Sequence, residues 1–167
     1  TQATGSYEAL GQVMQQSGNG GGAILGDLIP AWYAATVRGK PAEAWALVEQ
    51  AGARHPIDAA APADRPYFSL AMVGAFAARP ADVKRLRSAW EAATPVAERD
   101  SISLFGWDGM VALSNQQWDA AATAFRQMWQ VSHCTPCGAY EWADPLDKGG
   151  HADSASAVYR RIVEARK

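Results

Sequence analysis

The chain has 167 residues, of which 49% are hydrophobic, enough for one substantial domain with a continuous core. Its 15 Lys and Arg against 17 Asp and Glu leave a formal charge of -2, which points away from a nucleic-acid surface and from an acidic tail. No apolar run reaches the roughly 18 residues of a membrane span, so no direct membrane insertion is expected of this stretch. Thr1 is not a start methionine, so the chain reads as a processed or trimmed fragment, one from which targeting information can be missing.

Alanine is abundant, whereas Val and Ile are sparse and do not alternate with polar residues, so an all-α fold is expected. Residues 7–17 read as a short helix with Tyr7, Leu10 and Met14 on one side. The glycine-rich 17–22 stretch reads as a loop, because glycine loses the most backbone entropy in a helix. A phosphate cradle is not expected there, since no Gly-Lys-Ser/Thr follows it. Residues 1–26 therefore form an N-terminal helix and loop, and 27–167 form the helical body. Asp27 is placed to cap a helix to Arg38, with Pro30 in its first turn and Leu28, Ile29, Trp32 and Ala35 on one face. A second helix starts at Pro41 and turns Ala44, Leu47, Val48 and Ala51 inward. After a proline-bearing loop over 55–64 come helices at 66–78 and 80–93, then about 98–114, 117–131, 137–147 and 152–165. Short turns make each successive pair antiparallel neighbours.

The helix pairs repeat. Ala121 and Phe125 recur 34 residues later as Ala155 and Tyr159. Upstream, Pro41-Ala42-Glu43-Ala44 and Pro80-Ala81-Asp82-Val83 have the same shape, with Ala44 and Val83 39 residues apart and Val83 and Ala121 38 apart. About four hairpins are implied. One hairpin cannot bury its apolar face alone, so each needs its neighbours.

With its small–large–small residues Gly109, Trp118, Ala121 and Phe125, then Trp142, Ala143, Gly150, Ala155 and Tyr159, the pattern resembles the tetratricopeptide repeat family, whose period is about 34 residues. The resemblance spans about residues 27–166 and is strongest over 105–166. Asp108 and Ala112 replace the family's leucine and tyrosine in the third unit, and Arg87 stands in the aromatic slot of the second. The last unit is also similar to repeats in C-terminal sensor regions of bacterial serine/threonine kinases and related regulators, although no kinase motif is present here. The resemblance implies a right-handed α-solenoid whose first helices line a concave surface that binds a protein or peptide. On this chain the implied lining is Trp32, Tyr33, Arg38, Tyr67, Met72, Trp107, Asp108, Asn115, Tyr140 and Glu141, and each aromatic among them is equally eligible for the core. Asn115 can bond a peptide backbone as donor and acceptor, or cap its helix.

Cys134-Thr-Pro-Cys137 is expected to form a structural disulfide at the start of the last hairpin. Free thiols, a metal site and a redox pair are the other readings, the last lacking the strand–helix setting that thioredoxin-like enzymes use. His133 adjoins the pair, but four zinc ligands cannot be assembled from familiar spacings, so no metal and no cofactor are expected. An oxidised pair would indicate a periplasmic or extracellular protein and a reduced one a cytoplasmic protein. Arg79, Lys84, Arg85 and Arg87 read as a solvated face or a partner-facing patch rather than a nucleic-acid site. The expectation is a non-catalytic binding module, possible as a homo-oligomer. The alternatives are a structural assembly subunit, separable by an obligate apolar interface, and a thiol–disulfide redox protein using Cys134 and Cys137.

Overall fold

The computed structural model describes residues 20–133 and 138–164, including their side chains apart from those of 20–23 and 63. The helix expected over 7–17 and the Cys134–Cys137 pair lie outside the described residues. All regular structure among the described residues is helical: α1 (Gly20–Thr36), α2 (Pro41–Arg54), α3 (Tyr67–Phe76), α4 (Pro80–Ala93), α5 (Ser101–Ser114), α6 (Trp118–Ser132), α7 (Ala139–Lys148) and α8 (Ala152–Glu164). Short 3-10 turns at Ile57–Ala59, Pro62–Asp64 and Val96–Glu98 occupy the linkers. The chain divides into two compact units, Thr1–Thr94 and Pro95–Lys167.

In the first unit α1 pairs with α2 and α3 with α4, and α3 also packs on α1 and α2. That central position explains the composition of α3: every residue from Leu70 to Phe76 is buried, so no face of it needs charge. A β-carbon on Gly74 would stand 3.2 Å from the Trp45 ring and 3.3 Å from Val83, so α3 lies close against both α2 and α4. In the second unit α5 pairs with α6, α6 with α7 and α7 with α8. Its core holds Trp107, Met110, Leu113, Ala121 and Phe125 between α5 and α6. Farther along, Ala139, Ala143 and Val158 are flanked by half-buried Trp129, Trp142, Leu146, Tyr159 and Ile162.

The repeat seen in the sequence returns in the turns that join paired helices. A left-handed residue ends each hairpin's first helix: Gly39 (φ 60°), Ala78 (φ 53°), Gln116 (φ 58°) and Gly150 (φ 85°). In the last three turns its amide donates three residues back, and the next amide donates five back: Arg79 to Gly74, Gln117 to Ala112 and His151 to Leu146, at 2.8–2.9 Å. This is the bond pattern of a Schellman cap. The first turn is one residue longer, with Lys40 bonded to the carbonyl of Ala34 (2.8 Å). The carbonyls of Lys40, Arg79, Gln117 and His151 then receive the amides of Ala44, Val83, Ala121 and Ala155 (2.9–3.0 Å). Those four are each the fourth residue of a hairpin's second helix, and they are 0%, 0%, 0% and 1% exposed.

Ala78 and Gln116 carry side chains in a backbone region that costs an L-residue about 1–2 kcal/mol. Glycine there regains part of that and returns part as unfolded-chain entropy. Ala78→Gly and Gln116→Gly are each expected to raise stability by about 0.5–1 kcal/mol. The check is the urea midpoint at unchanged slope; a lower midpoint for both variants contradicts the turn geometry.

The start of the body differs from expectation. The helix begins at Gly20, not Asp27, so it takes in part of the glycine run and crosses the expected boundary between 26 and 27. Each helical glycine costs up to about 1 kcal/mol. Burial of Ile24, Leu28, Ala31 and Ala34 on one side of the helix outweighs that. Pro30 consequently lies inside α1 rather than in its first turn. The other boundaries fall close to those read from sequence, helped by Pro41 and Pro80 in the first turns of α2 and α4. Asp100 caps α5, its Oδ1 accepting the Ser103 amide at 2.7 Å.

Candidate functional site

In the first unit, α1 presents two different faces. Inward are Ile24, Leu28, Ala31, Ala34 and Ala35 together with Asp27. Asp27 is the one charged residue between positions 20 and 37, and it is buried. Its Oδ2 lies 3.3 Å from Arg54 Nη2 and 3.4 Å from His55 Nε2, both at the end of α2. Outward, Leu25, Ile29, Tyr33 and Val37 are 41%, 37%, 50% and 56% exposed. They recur every fourth residue, Leu25, Ile29 and Tyr33 within α1 and Val37 one residue past its end, and form a ridge that winds slowly around the axis over about 18 Å at 1.5 Å per residue. Nothing charged interrupts them. Ile29 therefore faces outward, not into the core as its position beside Leu28 suggested.

The residues expected to line a binding face fall in both units. Tyr33 is on the exposed stripe, and Trp32 beside it is half-buried. Arg38 is exposed but engaged: its Nη1 donates to Glu43 Oε1 at 2.6 Å and holds the Glu43 carboxyl below its usual range. Tyr67 and Met72 are buried, and the Tyr67 hydroxyl accepts from Arg65 Nη1 at 3.2 Å. In the second unit Trp107 is fully enclosed at 0% exposure, so it offers a ligand no surface; Asp108 beside it is exposed. Asn115 is exposed at the end of α5, where its Nδ2 donates to the Val111 carbonyl at 2.8 Å, a capping contact. Tyr140 and Glu141 share α7 and are half-buried, the Tyr140 ring 6.2 Å from that of Tyr159. Burial pushes the Glu141 carboxyl upward, and the Asp144 charge adds to this. Burial likewise pushes the Tyr159 hydroxyl up to about 12, with Tyr140, Asp144 and Asp147 contributing. The basic run on α4 is largely neutralised locally, with Arg79 and Arg85 on Asp82 at 2.9 and 3.1 Å and Arg87 on Glu91 at 2.9 Å.

Two features were missed in the sequence. The stripe is hidden in the sequence because adjacent Leu28 and Ile29 are chemically alike and only packing separates their faces. Its signal is present, as four large apolar residues at strict i, i+4 spacing. The other is an open recess of ≈ 200 Å³ in the second unit, lined by Asp119, Ala122, Thr123 and Arg126 of α6, Trp142 and Leu146 of α7, and His151 and Ser154 at the start of α8. His151 Nε2 lies 2.9 Å from Asp119 Oδ1, across 32 residues of sequence.

Among the described residues no group of three or more His, Cys, Asp or Glu is placed to hold a metal ion, and no helix is long and apolar enough to cross a membrane. Comparison with protein-family models, with curated proteins and with solved structures gives no match.

Proposed function

We propose that the chain is a non-catalytic, tetratricopeptide-like interaction domain that holds a protein partner on the outward face of α1. The observation carrying this is the uninterrupted apolar stripe Leu25–Ile29–Tyr33, continued by Val37 just past the helix end, on a helix whose single charge is turned inward. A helix facing only water normally carries charge on its outer side. A contiguous exposed apolar strip is the usual mark of an interaction surface. The tight turn, with one bond pattern in three of the four hairpins, supports the family reading, and α1 is a first helix of its hairpin, where such repeats carry their ligand-facing residues.

The chemistry of the stripe selects the partner. Four side chains at i, i+4 spacing form one ridge of a helix, and a ridge of that kind seats in the groove of another helix. No charge is offered for pairing. The partner is therefore an amphipathic helix of about three to four turns whose contacting face is apolar and uncharged.

A photo-crosslinking amino acid at position 29 or 33 in the cell of origin tests this. Adducts with one defined polypeptide are expected from both positions and not from exposed Ala46 or Glu164. Ile29→Glu should weaken the purified complex by about 2 kcal/mol, as for a central apolar contact, with an unchanged melting temperature. Adducts of the chain with itself, with a mass that rises with concentration, assign the face to a second copy. Positions 29 and 33 giving no more adduct than the control positions would refute an interaction surface on α1.

A further inference from the structure

We infer that the recess between α6, α7 and the start of α8 binds a small monocarboxylate bearing an aliphatic group. The site uses nothing on α1 and stands independently of the partner proposed above.

The lining divides by chemistry. Arg126 supplies a guanidinium that makes no ion pair with another described residue, on an exposed side chain at the recess edge. A planar fork of this kind is suited to a two-oxygen anion. Trp142 and Leu146 supply apolar wall on the α7 side, and the Trp142 ring is braced by the Trp129 ring 5.4 Å away. Thr123 of α6 and Ser154 of α8 add hydroxyl donors. Asp119 also lines the recess, paired with His151 at 2.9 Å. Its negative charge works against a dianion such as phosphate more than against a monoanion. The volume of ≈ 200 Å³ lies below the roughly 300–1,000 Å³ of drug-sized pockets, so the ligand is a fragment no larger than one or two residues. Helix spacing explains why the donors converge. Asp119, Ala122, Thr123 and Arg126 are at i, i+3, i+4 and i+7, one stripe of α6. The left-handed turn at Gly150 then brings His151 and Ser154 over that stripe.

A carboxylate with an apolar group can be a free acid or the last residue of a polypeptide, and the experiment separates them. The probe is isovalerate, followed through the indole N–H resonance of Trp142 in the intact chain, assigned with Trp142→Phe. A saturable shift is expected with isovalerate. The uncharged isovaleramide and the Arg126→Gln variant should each bind about tenfold more weakly, as for loss of one charge-assisted contact. Because Arg126 is exposed, the variant should leave the other indole resonances and the melting temperature in place. N-acetyl-leucine binding tighter than isovalerate assigns the site to a chain terminus, and the reverse order assigns it to a free acid. Acid and amide titrating alike, Arg126→Gln binding like the parent, or no saturable shift at all would each overturn the inference.

Discussion

Phe125→Ala is expected to destabilise the second unit by about 3–5 kcal/mol, toward the upper end of that range. The ring is fully enclosed. It lies directly on the backbone of α5, since a β-carbon on Gly109 would come within 2.6, 2.7 and 2.8 Å of three ring atoms. Truncation leaves a cavity with a glycine as its floor, and a glycine has no side chain to swing into the space. The same contact sets the sign of the opposite substitution. Gly109→Ala gains about 1 kcal/mol of helix propensity, but overpacking against a rigid ring costs about 1–3 kcal/mol. The steric cost wins, and Gly109→Ala is expected to destabilise. In a Phe125→Leu background the added methyl has room, so the two changes should couple by about 1 kcal/mol or more. Denaturant unfolding of Phe125→Ala and of the four proteins in this cycle is the measurement. A Phe125→Ala loss under about 1 kcal/mol, or a stabilising Gly109→Ala, would mean that α5 and α6 do not pack this closely.

That contact also explains which parts of the fold were legible. The close approach of two helices is settled by a small residue on one and a large one behind it, all within a single hairpin. Such requirements recur at similar spacing, and Ala44, Val83, Ala121 and Ala155 stand out by spacing alone and are all fully enclosed. The left-handed residues between the helices were less legible: Gly39 and Gly150 announce themselves, whereas Ala78 and Gln116 occupy the same conformation with no such signature. Rotation of a helix about its own axis was not legible at α1, because the helix is apolar on more than one side. Leu28 and Ile29 are adjacent and chemically alike, yet one is buried and the other exposed. The recess was hidden for another reason: Arg126, Trp142 and His151 come from different helices and are joined only by packing. Trp107 shows the converse limit, since an aromatic suited to a groove is equally suited to a core, and tertiary packing placed it in the core.

Asp27 is the residue that settles the rotation of α1, and Asp27→Asn is expected to cost about 1–3 kcal/mol. Its carboxylate is buried, and the two cationic or ionisable groups it faces come from Arg54 and His55 across the hairpin. Both approach the same oxygen at 3.3–3.4 Å, a distance at which attraction is mainly ionic and not a short aligned hydrogen bond. Removing a partner from a fully buried pair typically costs about 3–5 kcal/mol. Here the loss is smaller, because the Arg54 side chain is 50% exposed and can turn to water once the carboxylate is gone. Arg54→Met alone should therefore cost less than Asp27→Asn, and a double-mutant cycle should give a coupling of about 0.5 kcal/mol or more. The carboxylate end is buried, so the coupling should persist at high salt. The consequence reaches the proposed partner face: a turn of α1 that freed Asp27 would carry Leu25, Ile29 and Tyr33 toward the core. Asp27→Asn should thus weaken capture of the partner helix even though the Asp27 side chain is buried and faces Arg54 and His55 at the hairpin seam. Coupling near zero, with partner binding unchanged, would show that the apolar residues alone fix the orientation of α1.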